Sequence, residues 1–84
     1  METSKLWKEQ QGRLRKEMKF KNFENAISYI NAVAKIAEKY NHHPTITNTY
    51  NKVTLELWTH DENEITDLDW QLTKVIDELD EDFK

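Results

Sequence analysis

The chain has 84 residues, 37% hydrophobic and 33% charged, with three each of Trp, Tyr and Phe and no cysteine. That composition excludes a disordered segment, disulfides and thiolate metal sites. The net charge of −4 disfavours nucleic acid as a partner, no run approaches the roughly 20 apolar residues of a membrane span, and the start lacks an apolar signal segment, so one cytoplasmic domain over residues 1–84 is expected.

A domain this small hides only about 60–65% of the surface of its unfolded chain, so self-association is expected to cover what the thin core cannot. Residues 1–21 hold seven Lys/Arg against three Asp/Glu, and residues 61–84 hold two against ten. These blocks read as solvated faces that attract one another between subunits.

Residues 4–21 read as a β-hairpin turning at Gly12. Leu14, Met18 and Phe20 alternate with Arg15, Glu17 and Lys19, although Lys16 breaks the apolar parity. From Asn22 the period changes. Phe23, Ala26, Ile27, Ile30, Val33, Ala34 and Ala37 follow one face of a helix, with Asn22 as N-cap and Asn41 as the left-handed residue beyond its end. Pro44 disfavours helical geometry at His43, so the helix must stop before it.

Residues 45–60 read as a second hairpin turning at Asn51-Lys52, with Val53, Leu55 and Leu57 on one face and Thr54, Glu56, Trp58 and His60 on the other. Thr66 and Asp69 have capping-box spacing ahead of a second helix carrying Leu68, Leu72, Val75, Ile76 and Leu79, and residues 80–84 are expected to fray. The order ββαββα predicts an α+β fold, a four-stranded antiparallel sheet with both helices on one face.

All three histidines end predicted elements: His42 and His43 leave the first helix together, and His60 follows the last strand. Three readings stay open on spacing alone. They are ordinary surface and capping residues, or a three-histidine metal site lacking the usual H-x-x-x-H helical spacing, or metal-free acid–base groups whose ordinary pKa of about 6.5 suits proton transfer both ways. Glu38, four residues before His42, is placed to orient an imidazole or to be a solvated carboxylate.

Read as a unit, Glu38-Lys-Tyr-Asn-His42-His43-Pro44, then Tyr50-Asn51-Lys52-Val53, then Thr59-His60-Asp61 and Asp69 resembles the signature of pterin-4a-carbinolamine dehydratases. The segment from Met18 to Ala26 resembles the lead into that family's first sheet-packing helix, and the likeness runs from Trp7 to Leu79. It implies loss of water from a 4a-hydroxytetrahydropterin to give the quinonoid dihydropterin in tetrahydrobiopterin recycling, with no metal and no organic cofactor. On that likeness His42, His43 and His60 surround the pterin with Glu38 supporting, while Asn41, Trp58, Thr59, Asp61 and Trp7 supply binding contacts. The likeness also implies strand-to-strand dimers, tetramers through helix contacts, and a helix ahead of the first strand, which is not expected in residues 1–6 of this sequence. Some members bind proteins as cofactors, so the alternative is a non-catalytic dimerisation or assembly module. Departures from the pattern are Trp58 where Ser or Thr is usual, Thr45 for an acidic residue, and Asp61-Glu62-Asn63-Glu64 for a glycine-rich turn.

Overall fold

Gln11 and Gly12 both have positive φ, 52° and 75°, the φ pattern of a two-residue hairpin turn whose twist matches the strands it joins. This turn links β1 (Lys8–Gln10) to β2 (Arg13–Lys19) in a computed structural model that describes residues 7–83. Residues 4–6 of the expected first hairpin and Lys84 of the expected tail lie outside the described residues.

Asn22 caps α1 (Phe23–Tyr40): its Oδ1 accepts the backbone N–H of Asn25 at 2.8 Å. Asn41 ends the helix at φ 52°, ψ 42°, with Asn41 N–H donating to Glu38 O and His42 N–H to Ala37 O. These paired bonds are a Schellman closure, which satisfies the last carbonyls and swings the chain out towards Pro44. β3 (Thr45–Thr49) and β4 (Lys52–Leu57) follow, then α2 (Asp67–Asp80) and a short 3₁₀ turn, Glu81–Phe83. The sheet order is β1-β2-β4-β3, antiparallel throughout.

Register decides the faces. Leu14 pairs with Leu57, Lys16 with Leu55 and Met18 with Val53, and directly opposed residues in antiparallel strands share a face. That face is covered by the helices, where Leu14, Val53, Leu55 and Leu57 meet Ala26, Tyr29, Val33, Leu72 and Ile76 in the core. The other face carries Arg15, Glu17 and Glu56, with Arg15 3.2 Å from Glu17 and 3.8 Å from Glu56.

Lys16 obeys the strand parity after all: it points into the core with 1% of its surface exposed. Its ammonium lies 2.8 Å from Asp77 and also contacts Asp80, both buried on α2, and Trp7 Nε1–H donates to the same Asp77 oxygen at 2.9 Å. Burial pulls Lys16 below the ordinary lysine value, and the hydrogen bond and charge of Asp77 oppose that only in part.

Three other expectations are corrected. The buried stripe of α1 is Ala26, Tyr29, Val33 and Ala37, while Phe23 is 48% exposed, because Tyr29 packs against Phe20 and Phe83 with ring centres 4.9 and 5.3 Å away. The second hairpin turns at Tyr50-Asn51, since Thr49 pairs with Lys52. The tail does not fray as far as Phe83, whose ring meets Phe20 and Tyr29 edge-on.

Candidate active site

The end of α1, the segment after β4 and the start of α2 meet at one edge of the fold. Asn41, His42, His43, Thr59, His60, Asp61 and Leu68 line an open cleft of about 330 Å³ there, near the small end of ligand sites, about 300–1,000 Å³. Six of the expected site residues are thus brought together. Glu38, Trp58 and Trp7 are not among the lining residues. Trp7 is a core residue, 6% exposed and bonded to Asp77.

His42 is 8% exposed, and its Nε2 lies 2.5 Å from Oδ1 of the fully buried Asp69. The other Asp69 oxygen accepts the N–H of Thr66 at 2.8 Å and the hydroxyl of Thr59 at 3.0 Å. One carboxylate therefore closes the capping box of α2 and fixes the ring of His42. When Nε2 donates to Asp69, Nδ1 is the nitrogen left to exchange a proton with a ligand.

Glu38 pairs with His43 rather than His42: Nε2 of His43 lies 2.7 Å from Glu38 Oε2, with both side chains largely exposed. Spacing of four suggested His42, but the left-handed turn at Asn41 breaks helical spacing and draws His42 inward. His60 projects from a short loop closed by Thr59 and Glu64, whose backbones exchange hydrogen bonds of 2.9 and 3.4 Å. Asn63 turns that loop at φ 54°, supplying the left-handed residue that a glycine-rich turn would otherwise provide. Thr59 Oγ1 is also 2.6 Å from Thr66 Oγ1, which ties this loop to the first turn of α2.

Sequence reasoning missed Leu68 as a wall of the cleft and Asp69 as the partner of His42. A signal for Asp69 existed: it shares a helical stripe with Leu72 and Ile76 and so faces inward. Among the described residues, no group of three or more His, Asp or Glu is arranged to hold a metal ion.

An α+β sheet with a histidine-lined cleft at its edge agrees with comparison to known proteins. The family model for pterin 4 alpha carbinolamine dehydratase matches residues 1–79. The chain is 44% identical over 73 residues to a protein of Synechococcus sp. (strain WH7803) named "Putative pterin-4-alpha-carbinolamine dehydratase", covering 87% of this chain and 78% of that protein. A protein of the same name from Metallosphaera sedula is 42% identical over 73 residues, covering 87% and 76%. Among solved structures, a transcriptional coactivator/pterin dehydratase from Brucella melitensis superposes with a TM-score of 0.80 at 34% identity, covering 84% of this chain and 78% of that one. A pterin dehydratase-like RuBisCO assembly factor of the alpha-carboxysome superposes with a TM-score of 0.71 over 87% and 84%, and its 18% identity shows a common fold alone. The chain belongs to the pterin-4a-carbinolamine dehydratase family.

Proposed function

We propose that this chain dehydrates a 4a-hydroxytetrahydropterin to the quinonoid dihydropterin, recycling the oxidised cofactor of aromatic amino-acid hydroxylases in the cytoplasm. The observation that carries the proposal is the convergence of His42, His43 and His60 on one cleft, with His42 held by buried Asp69. The reaction breaks the carbon–oxygen bond at C4a. An imidazolium protonates the departing hydroxyl, a neutral imidazole takes the proton of the adjacent ring nitrogen, and that nitrogen's electron pair forms the new C=N bond. One proton enters and one leaves, so transfer among the three rings restores the starting state. Asn41, Thr59 and Asp61 supply polar groups that hold the pterin, and Glu38 supports His43.

The competing reading, an assembly module without catalysis, draws on the functions printed for the solved relatives. The open cleft favours the enzyme, because Trp58 stands outside its lining. The deciding experiment follows dehydration of enzymatically generated 4a-hydroxytetrahydropterin. Turnover above the spontaneous rate is expected, and a rate equal to that baseline refutes the proposal.

We also propose at least a homodimer, because the outer strands β1 and β3 each leave one edge unpaired within the sheet. Light scattering at micromolar concentration should exceed the monomer mass of 10.1 kDa, and the monomer mass alone refutes this.

A further inference from the structure

Each of the three histidines has a different neighbour. His42 has the buried carboxylate of Asp69 and His43 the exposed carboxylate of Glu38. Among the described residues, the ring of His60 makes no hydrogen bond. It lies instead parallel to the indole of Trp58, with ring centres 4.4 Å apart and planes 9° apart. The guanidinium of Arg13 lies over the same indole, 4.1 Å from its centre.

This grouping follows from register. The antiparallel pairing of β2 with β4 ends at Leu14 and Leu57, and Arg13 and Trp58 are the next residues of the chain beyond that pair. Arg13, in β2, falls with Arg15 on the sheet face away from the helices, and its guanidinium over the indole sets Trp58 beside it. His60 stands two residues beyond Trp58, in the loop closed by Thr59 and Glu64, and the parallel rings bring the two side chains to the same side. The Gln11-Gly12 turn sets Arg13 at the start of β2. The indole is thus occupied by its own neighbours and stands outside the cleft that His60 lines.

We infer that Trp58 is a positioning residue for His60, and that Arg13 holds Trp58 in place. An aromatic brace fixes the imidazole plane without engaging either nitrogen, so both remain available at the cleft. A carboxylate brace, as on His42, engages one of them. The four-residue loop that carries His60 is exposed, and the stack limits the ring rotation that such a loop would otherwise permit. This inference rests on the dehydratase reading, and it makes Trp58 a brace rather than a surface on which the pterin lies.

The test compares wild type with Trp58→Ser, Trp58→Phe and Arg13→Leu, using two readouts. The first is the NMR shift of the His60 ring protons, assigned with His60→Gln. In the wild type these protons lie upfield in the ring current of the indole. They should return to ordinary positions in Trp58→Ser and stay partly shifted in Trp58→Phe. The second readout is dehydration kinetics. In Trp58→Ser, kcat should fall about five- to tenfold, as expected for a loosened catalytic group, with KM changed less than about twofold. Trp58→Phe should recover most of kcat. Arg13→Leu, at an exposed position that does not threaten folding, should lower kcat by about twofold. A rise in KM at constant kcat would make Trp58 a substrate contact and overturn the inference. So would unchanged or increased kcat, or His60 shifts that ignore the loss of the indole. If the wild type itself does not exceed the spontaneous rate, the dehydratase reading fails and takes the catalytic part of the inference with it. The shifts then still decide whether the stack exists.

Discussion

Replacing Asp69 by Asn removes a charge and one acceptor from a carboxylate with three partners. Those partners are His42 Nε2 at 2.5 Å, Thr66 N at 2.8 Å and Thr59 Oγ1 at 3.0 Å. An amide has one oxygen. If it keeps Thr66 and Thr59, its NH₂ meets His42 and forces Nε2 to accept, which moves the ring proton to Nδ1, the nitrogen assigned to the ligand. If it turns the other way, NH₂ faces the N–H of Thr66 and the cap of α2 is lost. Either orientation gives up a hydrogen bond to a charged group in a fully buried site, which costs about 2 kcal/mol. For a domain of this size, the midpoint of thermal unfolding should fall by about 8–16 °C. Well below that midpoint, with secondary structure intact by circular dichroism, turnover should fall by about 100-fold because the tautomer is wrong. Initial rates of dehydration, corrected for the spontaneous reaction, measure the second effect separately from the first. Wild-type turnover in a folded Asp69→Asn variant would refute the role of the His42–Asp69 pair.

His42→Ala or His43→Ala should each reduce turnover, by up to about 10²–10⁴-fold and by less where a neighbouring ring or the uncatalysed reaction compensates; wild-type rates in both refute their roles. Lys16→Met leaves Asp77 and Asp80 buried together without a counter-charge and should cost about 3–5 kcal/mol in denaturant unfolding. Tyr29 Oη is buried with no hydrogen-bond partner among the described residues, so Tyr29→Phe should be neutral or stabilising by about 1 kcal/mol. Burial first, and the charge of Asp77 second, hold the Tyr29 phenol above its ordinary value of 10.0. Only unfolded chains then ionise just above that pH, and the Tyr29 contribution to stability is lost as pH rises past it. Unfolding midpoints measured across pH 8–11 should therefore fall less steeply in Tyr29→Phe than in wild type; parallel curves refute this.

The element order was legible because local chemistry fixes it. Asn22 and Asn41 bound α1 by side-chain capping and a left-handed backbone, both short-range properties of those residues. The approach of His42, His43 and His60 was expected only from element ends and the family likeness, since two of them leave a helix and the third follows a strand. What stayed hidden depends on partners distant in sequence. Lys16 broke the apolar pattern of β2 because its counter-charges, Asp77 and Asp80, lie more than 60 residues away. Phe23 was placed on the buried face of α1, yet it is Tyr29 that is covered, packed against the rings of Phe20 and Phe83. Partner choice between Glu38, Asp69 and the two adjacent histidines turned on the direction of the chain after Asn41, which helical counting cannot give.

The Lys16 cluster also acts on the histidine cleft, although it lies elsewhere in the fold. Asp77 and Asp80 are three residues apart, on one side of α2, and converge on a single ammonium. Sliding α2 by one turn, about 5.4 Å, would offer that ammonium Thr73 and Ile76 instead. The cost of its burial makes the cluster a poor source of stability but a strict ruler for the axial position of α2. Asp69 lies eight residues up the same helix, so the setting that satisfies Lys16 is also the one that brings Asp69 to His42. Replacing Lys16, Asp77 and Asp80 together by apolar residues should cost little beyond the lost hydrogen bond of Trp7 Nε1–H, while giving the His42 ring more than one NMR environment. A single sharp environment would show that α2 finds its place by shape alone.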